Sequence, residues 1–138
     1  MRKKKVLVVL STYNDLVSAG LKKSTINQLN TQRWIKKSVI EVPGAFEIPS
    51  VISKNIKKFD GIVALGCIIK GETNNFDLIS KSVTNALMRL SIKHKKPIGN
   101  GVITCLNNKQ AMARRKKGRE AALAVQNVLA DTNPINID

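Results

Sequence analysis

Three short segments carry residue types that can bind a small polar molecule. Gly71-Glu72-Thr73 follows an apolar run and immediately precedes a helix-like one. Free amides and a hydroxyl at a helix start attract anions, phosphate above all, although the same residues also serve as plain caps. Lys70, Arg114 and Arg115 are cations that would complete such a site or simply decorate the surface. Pro43-Gly44-Ala45-Phe46-Glu47 joins small residues, which let a ligand approach the backbone, to one ring and one carboxylate. The alternative for that run is a tight turn with Phe46 in the core and Glu47 favourably placed at a helix start. Tyr13, the only tyrosine, lies just past the first apolar run, where its ring can stack on a planar ligand or pack at a sheet edge.

Other chemistries are excluded by what the chain lacks. One histidine, His94, and two distant cysteines, Cys67 and Cys105, make no recognisable zinc site, so no metal is expected. The cysteines sit in apolar, strand-like runs and read as reduced thiols, since a disulfide framework needs more of them and a secreted context. No G-x-G-x-x-G follows the first strand-like run, and no G-x-x-x-x-G-K-[ST] occurs, which disfavours dinucleotide and nucleoside triphosphate sites. A G-x-S-x-G nucleophile elbow is missing too.

The elements that must position these segments alternate in type. Lys5 to Leu10, Ser38 to Val42, Gly61 to Ile69 and Gly101 to Leu106 read as strands, the third being the most apolar and so expected near the sheet's centre. Leu16 to Asn30 has helical spacing at Leu16, Ala19, Ile26 and Leu29, with Asn14 or Asp15 as cap. Glu47 to Lys58 is a second helix, with Pro49 suited to its first turn. Asn75 to Lys93 carries an apolar stripe at Leu78, Ile79, Val83, Ala86, Leu87 and Leu90, and Asn108 to Ala130 is the last helix. This alternation predicts one α/β domain over residues 1–138. Its expected form is a flavodoxin-like three-layer αβα sandwich around a four-stranded parallel sheet of order 2-1-3-4. Ligands bind such sheets outside the carboxyl ends of the strands, which is where the segments above fall.

The 138 residues suffice for one core, and no apolar run approaches the roughly 18 residues of a membrane span. Arg2 to Lys5 followed by Val6 to Leu10 is too short for a secretory signal, so a cytoplasmic protein is expected. Twenty-four basic residues against nine acidic ones give a formal net charge of +15, a field that attracts anions from phosphorylated metabolites to nucleic acid. Lysine outnumbers arginine 18 to 6, and its clusters are scattered along the whole chain. That pattern argues for a solvated surface and against nucleic-acid binding, where arginine is favoured.

Taken together the loops resemble the lumazine synthase family. Val42-Pro43-Gly44-Ala45-Phe46-Glu47-Ile48-Pro49 matches a family signature without mismatch, and Ala64 to Thr73 is similar to a second segment. Tyr13-Asn14-Asp15, Asn100 to Thr104 and Gln110 to Arg114 follow in order, so that the resemblance runs from about Lys5 to about Ala130. It implies condensation of 5-amino-6-(D-ribitylamino)uracil with 3,4-dihydroxy-2-butanone 4-phosphate to 6,7-dimethyl-8-ribityllumazine, phosphate and water, without a cofactor. By the same resemblance Tyr13 stacks on the pyrimidine. The backbones of Ala45 and Phe46, with the Glu47 side chain, hold the ribityl chain, and Cys67, Ile68 and Ile69 line the pyrimidine edge. Glu72 and Thr73 receive the butanone phosphate, Arg114 adds fixed charge, and Asn100 comes from a neighbouring subunit.

The family's proton-shuttling histidine falls at Asn75 in this sequence, and His94 lies about five helical turns further along the same helix. Asparagine hydrogen-bonds but does not titrate, so a slower enzyme is expected, or a degenerate paralogue that binds without much turnover. A basic nucleic-acid-binding module is the third alternative. The resemblance also implies a homo-oligomer. The chain as given opens on its first strand and the loop after Arg114 reads as shortened, which predicts a pentamer, with a decamer or a 60-subunit shell as the larger forms.

Overall fold

The computed structural model describes residues 2–71, 75–130 and 132–137. Its strands β1 (Lys4–Ser11), β2 (Ile35–Val42), β3 (Gly61–Ile69) and β4 (Ile98–Cys105) form a parallel sheet in the order β2-β1-β3-β4. The central strands β1 and β3 are buried on both faces, with Val6 to Ser11 and Gly61 to Ile68 sealed without interruption. Both faces are covered by helices, so neither strand needs a polar side. The outer strands β2 and β4 mix buried and exposed positions, as edge strands do. The expected strand order and three-layer architecture are therefore present.

On one face α1 (Asp15–Leu29) and α5 (Gly118–Ala130) pack Val17, Leu21, Ala122 and Val125 onto Val6, Val8, Val63 and Leu65. Opposite them α2 (Ile48–Asn55) and α3 (Asn75–His94) set Ile48, Ile52, Val83 and Leu87 against Leu7, Val9, Ile62 and Ala64. Alternate side chains of one strand thus feed two separate cores.

Several expected details differ. The last helix is not continuous from Asn108: it divides into α4 (Asn108–Ala113), a 3-10 turn at Arg115–Lys117, and α5. The break lets Gly118 press against α1, where an added Cβ would sit 2.2 Å from the Leu21 carbonyl oxygen, a separation no side chain survives. The second helix likewise shortens to α2, with 3-10 turns at Ala45–Glu47 and Ile56–Lys58 on either side. β2 and β4 each begin three residues earlier than their apolar runs, because ladder pairing with β1 and β3 extends through Ile35 to Lys37 and through Ile98.

The inward stripe of α1 is Val17, Leu21, Thr25 and Leu29, not one that includes Leu16, which is 69% exposed. On α3 only Val83 and Leu87 are buried; Ile79 and Leu90 are partly covered, and Leu78 points to solvent. Asn14 occupies the cap position of α1, but its side chain makes no capping bond there.

Candidate active site

Where β1 ends at Ser11, the chain turns through Thr12 to Asn14, and hydrogen bonds hold that turn in place. The Thr12 amide donates to the Val42 carbonyl at 2.9 Å, tying the turn to the end of β2. The Ser18 hydroxyl lies 2.7 Å from the Ser11 carbonyl and 3.1 Å from that of Tyr13. Asn14 adopts φ 67°, a left-handed conformation that asparagine tolerates. Its Nδ2 donates to Asn108 Oδ1 at 2.8 Å, which links the β1 turn to the start of α4. The backbone beneath Tyr13 is thus fixed while its ring is 57% exposed.

After β2, Pro43 and Gly44 lead into the 3-10 turn Ala45–Glu47, in which the Glu47 amide donates to the Gly44 carbonyl at 3.2 Å. Ala45 is buried and anchors the turn, whereas Phe46 is 67% exposed, so the alternative that sent Phe46 into the core fails. The Glu47 carboxylate curls back over Gly44: an added Cβ there would lie 3.1 Å from Oε1. Glycine keeps that approach open. The end of β3 supplies Cys67 and Ile68, both buried, and Ile69, partly covered.

These three segments meet in one cleft of about 430 Å³, a size suited to a small-molecule ligand. Tyr13, Ala45, Phe46, Glu47, Cys67 and Ile68 line it, together with Ile69. Pro43, Gly44 and Ile79 complete the wall. Ile79 was legible only as part of the apolar stripe of α3, and the sequence carried no signal separating a core isoleucine from a cleft-lining one. Among the described residues the cleft offers two rings, apolar walls and a single carboxylate, with no cation on its lining. Burial pushes the Cys67 thiol up to about 11, with Cys105 adding to the shift, so at neutral pH this side chain is an uncharged wall.

The remaining expected residues lie elsewhere. Glu72 and Thr73 fall outside the described residues. Asn75 begins α3, exposed and off the cleft lining. Arg114 ends α4 and donates from Nη1 to the Thr104 carbonyl at 3.0 Å. Thr104 is the register partner of Ile68, so the guanidinium is anchored one strand, about 4.8 Å, from a cleft-lining strand. Asn100 pairs in register with Ala64, well before the end of β4 at Cys105, and its Oδ1 accepts from the Val102 amide at 3.0 Å. It does not reach the cleft of its own chain. Among the described residues no group of three or more His, Cys, Asp or Glu is arranged to hold a metal.

The chain is similar to known proteins over most of its length. Residues 3–132 match the family model of 6,7-dimethyl-8-ribityllumazine synthase. A protein of that name from Bdellovibrio bacteriovorus is 37% identical over 141 residues, spanning 98% of this chain and 79% of the relative. One from Buchnera aphidicola subsp. Baizongia pistaciae is 38% identical, over 98% of this chain and 89% of its own. A third, from Bartonella tribocorum, is 39% identical over 85% of this chain and 80% of the relative.

Proposed function

The chain belongs to the 6,7-dimethyl-8-ribityllumazine synthase family and is a transferase of riboflavin biosynthesis, and we propose that its reaction takes place in the cleft at the ends of β1, β2 and β3. That reaction condenses 5-amino-6-(D-ribitylamino)uracil with 3,4-dihydroxy-2-butanone 4-phosphate, giving 6,7-dimethyl-8-ribityllumazine with loss of phosphate and water. The observation that carries the reading is the convergence of Tyr13, Ala45, Phe46, Glu47, Cys67 and Ile68, drawn from three separated segments, on one small-molecule-sized cleft.

In this reading the Tyr13 ring stacks on the pyrimidine, and its exposure leaves a face free to do so. Ribityl hydroxyls meet the Ala45 and Phe46 backbone and the Glu47 carboxylate, an acceptor of charge-assisted hydrogen bonds. Cys67, Ile68 and Ile69 form the apolar edge, and a neutral Cys67 neither competes for the butanone carbonyl nor repels the phosphate. Glu72 and Thr73, with Arg114 as the fixed cation, hold that phosphate. The substrate's own amine is the nucleophile, so the protein contributes register and charge stabilisation before any acid–base group. Asn75 at the proton-shuttle position removes a titrating group worth about 10²–10⁴ in rate, and the proton then travels through water or the substrate phosphate.

A cytoplasmic homo-oligomer belongs to the same reading. At 100° per residue, Val83, Leu87, Ile79 and Leu90 form the inner stripe of α3, while Leu78, Met88 and Ile92, all more than 60% exposed, form a second stripe on the other side. A second apolar stripe is what a neighbouring copy would cover, and Asn100 would enter the active site only from such a copy. A pentamer fits this use of α3, with larger assemblies of pentamers built on it. No helix among the described residues is long and apolar enough to cross a membrane.

The test is to incubate the purified protein with both substrates and follow lumazine absorbance and released phosphate, with and without EDTA. Equal production of both, unaffected by chelator, is expected. Binding of a substrate analogue without product would instead support the degenerate reading that Asn75 suggests, and loss of activity with chelator would contradict a cofactor-free site.

A further inference from the structure

A second concavity, far richer in charge, lies between α1 and the Arg115–Arg119 segment. It measures about 550 Å³, and Lys23, Arg115, Lys116 and Arg119 line it with no acidic residue beside them among the described residues. Uncharged hydrogen-bonding groups, Ser24, Asn27 and Gln28 among them, make up the rest of one wall. Three of the chain's six arginines occur between Arg114 and Arg119, two of them on this groove, whereas its lysines are spread throughout. A background enriched in lysine does not explain an arginine cluster, and arginine is the side chain whose fork matches phosphate oxygens.

The groove is also built rather than incidental. The Arg115 stem lies across Gly20, so close that a Cβ on that glycine would be 2.8 Å from its Cβ, Cγ and Cδ. The Ser24 hydroxyl is 3.4 Å from the Arg115 carbonyl, and Gly118 seats the segment against α1. Packing therefore fixes the backbone that carries Arg115, Lys116 and Arg119. Their placement is unfavourable in the unliganded chain: Arg115, Lys116, Lys117 and Arg119 crowd the start of α5, the positive end of its dipole, and Glu120, 3.7 Å from Lys117, is the one acidic residue of that first turn. A bound polyanion would relieve this repulsion. Among the described residues no aromatic side chain lines the groove, so it lacks the stacking platform by which single-stranded nucleic acids are held.

We infer that the groove between α1 and the start of α5 binds a compact oligophosphate anion, a di- or triphosphate group, independently of the lumazine-forming cleft. The test is calorimetric titration of the full-length protein with inorganic triphosphate at moderate salt, repeated on Lys116→Gln/Arg119→Gln and on Arg114→Ala. Saturable binding that weakens about tenfold or more in the double variant, but persists in Arg114→Ala, is the expected result. Both groove side chains are exposed, so the double variant should fold and form lumazine at the parent rate. Absence of saturable binding, or binding that the double variant leaves intact and Arg114→Ala removes, would overturn the inference. So would an unrelated single-stranded RNA that binds more tightly, loses its affinity in the double variant, and displaces triphosphate, since the groove would then be a nucleic-acid surface.

Discussion

The cleft and the groove are opposites in composition. Among the described residues the cleft at the strand ends has two rings, apolar walls and one carboxylate, and its lining carries no cation. The groove on α1 is somewhat larger and, among the described residues, carries four cations with no acid. Of the residues that the family resemblance singles out, Tyr13, Ala45, Phe46, Glu47, Cys67, Ile68 and Ile69 nevertheless line the former. Net charge points to where anions gather; the site of a condensation between a planar pyrimidine and a small phosphorylated ketone is set by shape and by a few oriented polar groups.

The two regions also differ in how they are closed, and this gives the largest expected effect. At Gly118 an added Cβ would meet the Leu21 carbonyl oxygen at 2.2 Å, whereas at Gly44 the nearest atom is the movable Glu47 carboxylate at 3.1 Å. Gly118→Ala should therefore destabilise the fold by about 1–3 kcal/mol or more. Gly44→Ala should leave the denaturant midpoint close to that of the parent and alter substrate affinity instead. Chemical denaturation of both variants checks this, and equal midpoints would show that the α1–α5 contact is not tight.

Next in size is Arg114→Ala. Its guanidinium is anchored on the Thr104 carbonyl beside the cleft, so its loss should raise KM for the butanone phosphate by the equivalent of about 1.5–3 kcal/mol. The pyrimidine KM should change far less, and equal losses for both substrates would separate Arg114 from the phosphate.

Asn75→His should raise kcat by up to about 10², with little change in either KM and with a new titration near pH 6–7. An imidazole adds proton transfer in the transition state but little ground-state binding. An unchanged pH–rate profile would mean that proton transfer is not limiting.

The smallest effect concerns Cys67. Its folded thiol titrates at about 11 against a usual 9.0, so the unfolded chain ionises first as pH rises. The resulting stability is fully present below pH 9.0 and is lost progressively towards about 11. The measurement is the difference between parent and Cys67→Ala. The parent should lose more stability between pH 8 and 10.5, and parallel curves would contradict a buried, neutral thiol.

Much of this architecture was legible because β1 and β3 are continuous apolar runs, which two-sided burial requires. The edge strands were legible only in part, since Ile35 to Lys37 and Ile98 to Asn100 pair through backbone with little apolar patterning. The break at Arg114 and the rotated face of α1 were hidden for a different reason: both depend on where α1 meets α5, a long-range contact through Gly20 and Gly118 that no local pattern records. In the site, Tyr13, Phe46 and Glu47 could be singled out by type. Ile79 could not, because an isoleucine at helical spacing has the same appearance whether it faces core or ligand.

The central claim is that the cleft, and not the charged groove, performs the reaction, and Glu47 is the one carboxylate among its described lining residues. The most direct measurement is kcat/KM for the ribitylaminopyrimidine in Glu47→Ala beside Lys116→Gln/Arg119→Gln. Loss of charge-assisted bonds to the ribityl hydroxyls should lower it at least about tenfold in Glu47→Ala, with the denaturant midpoint retained, and leave the groove variant at the parent value. An unimpaired Glu47→Ala, or a loss confined to the groove variant, would contradict the account.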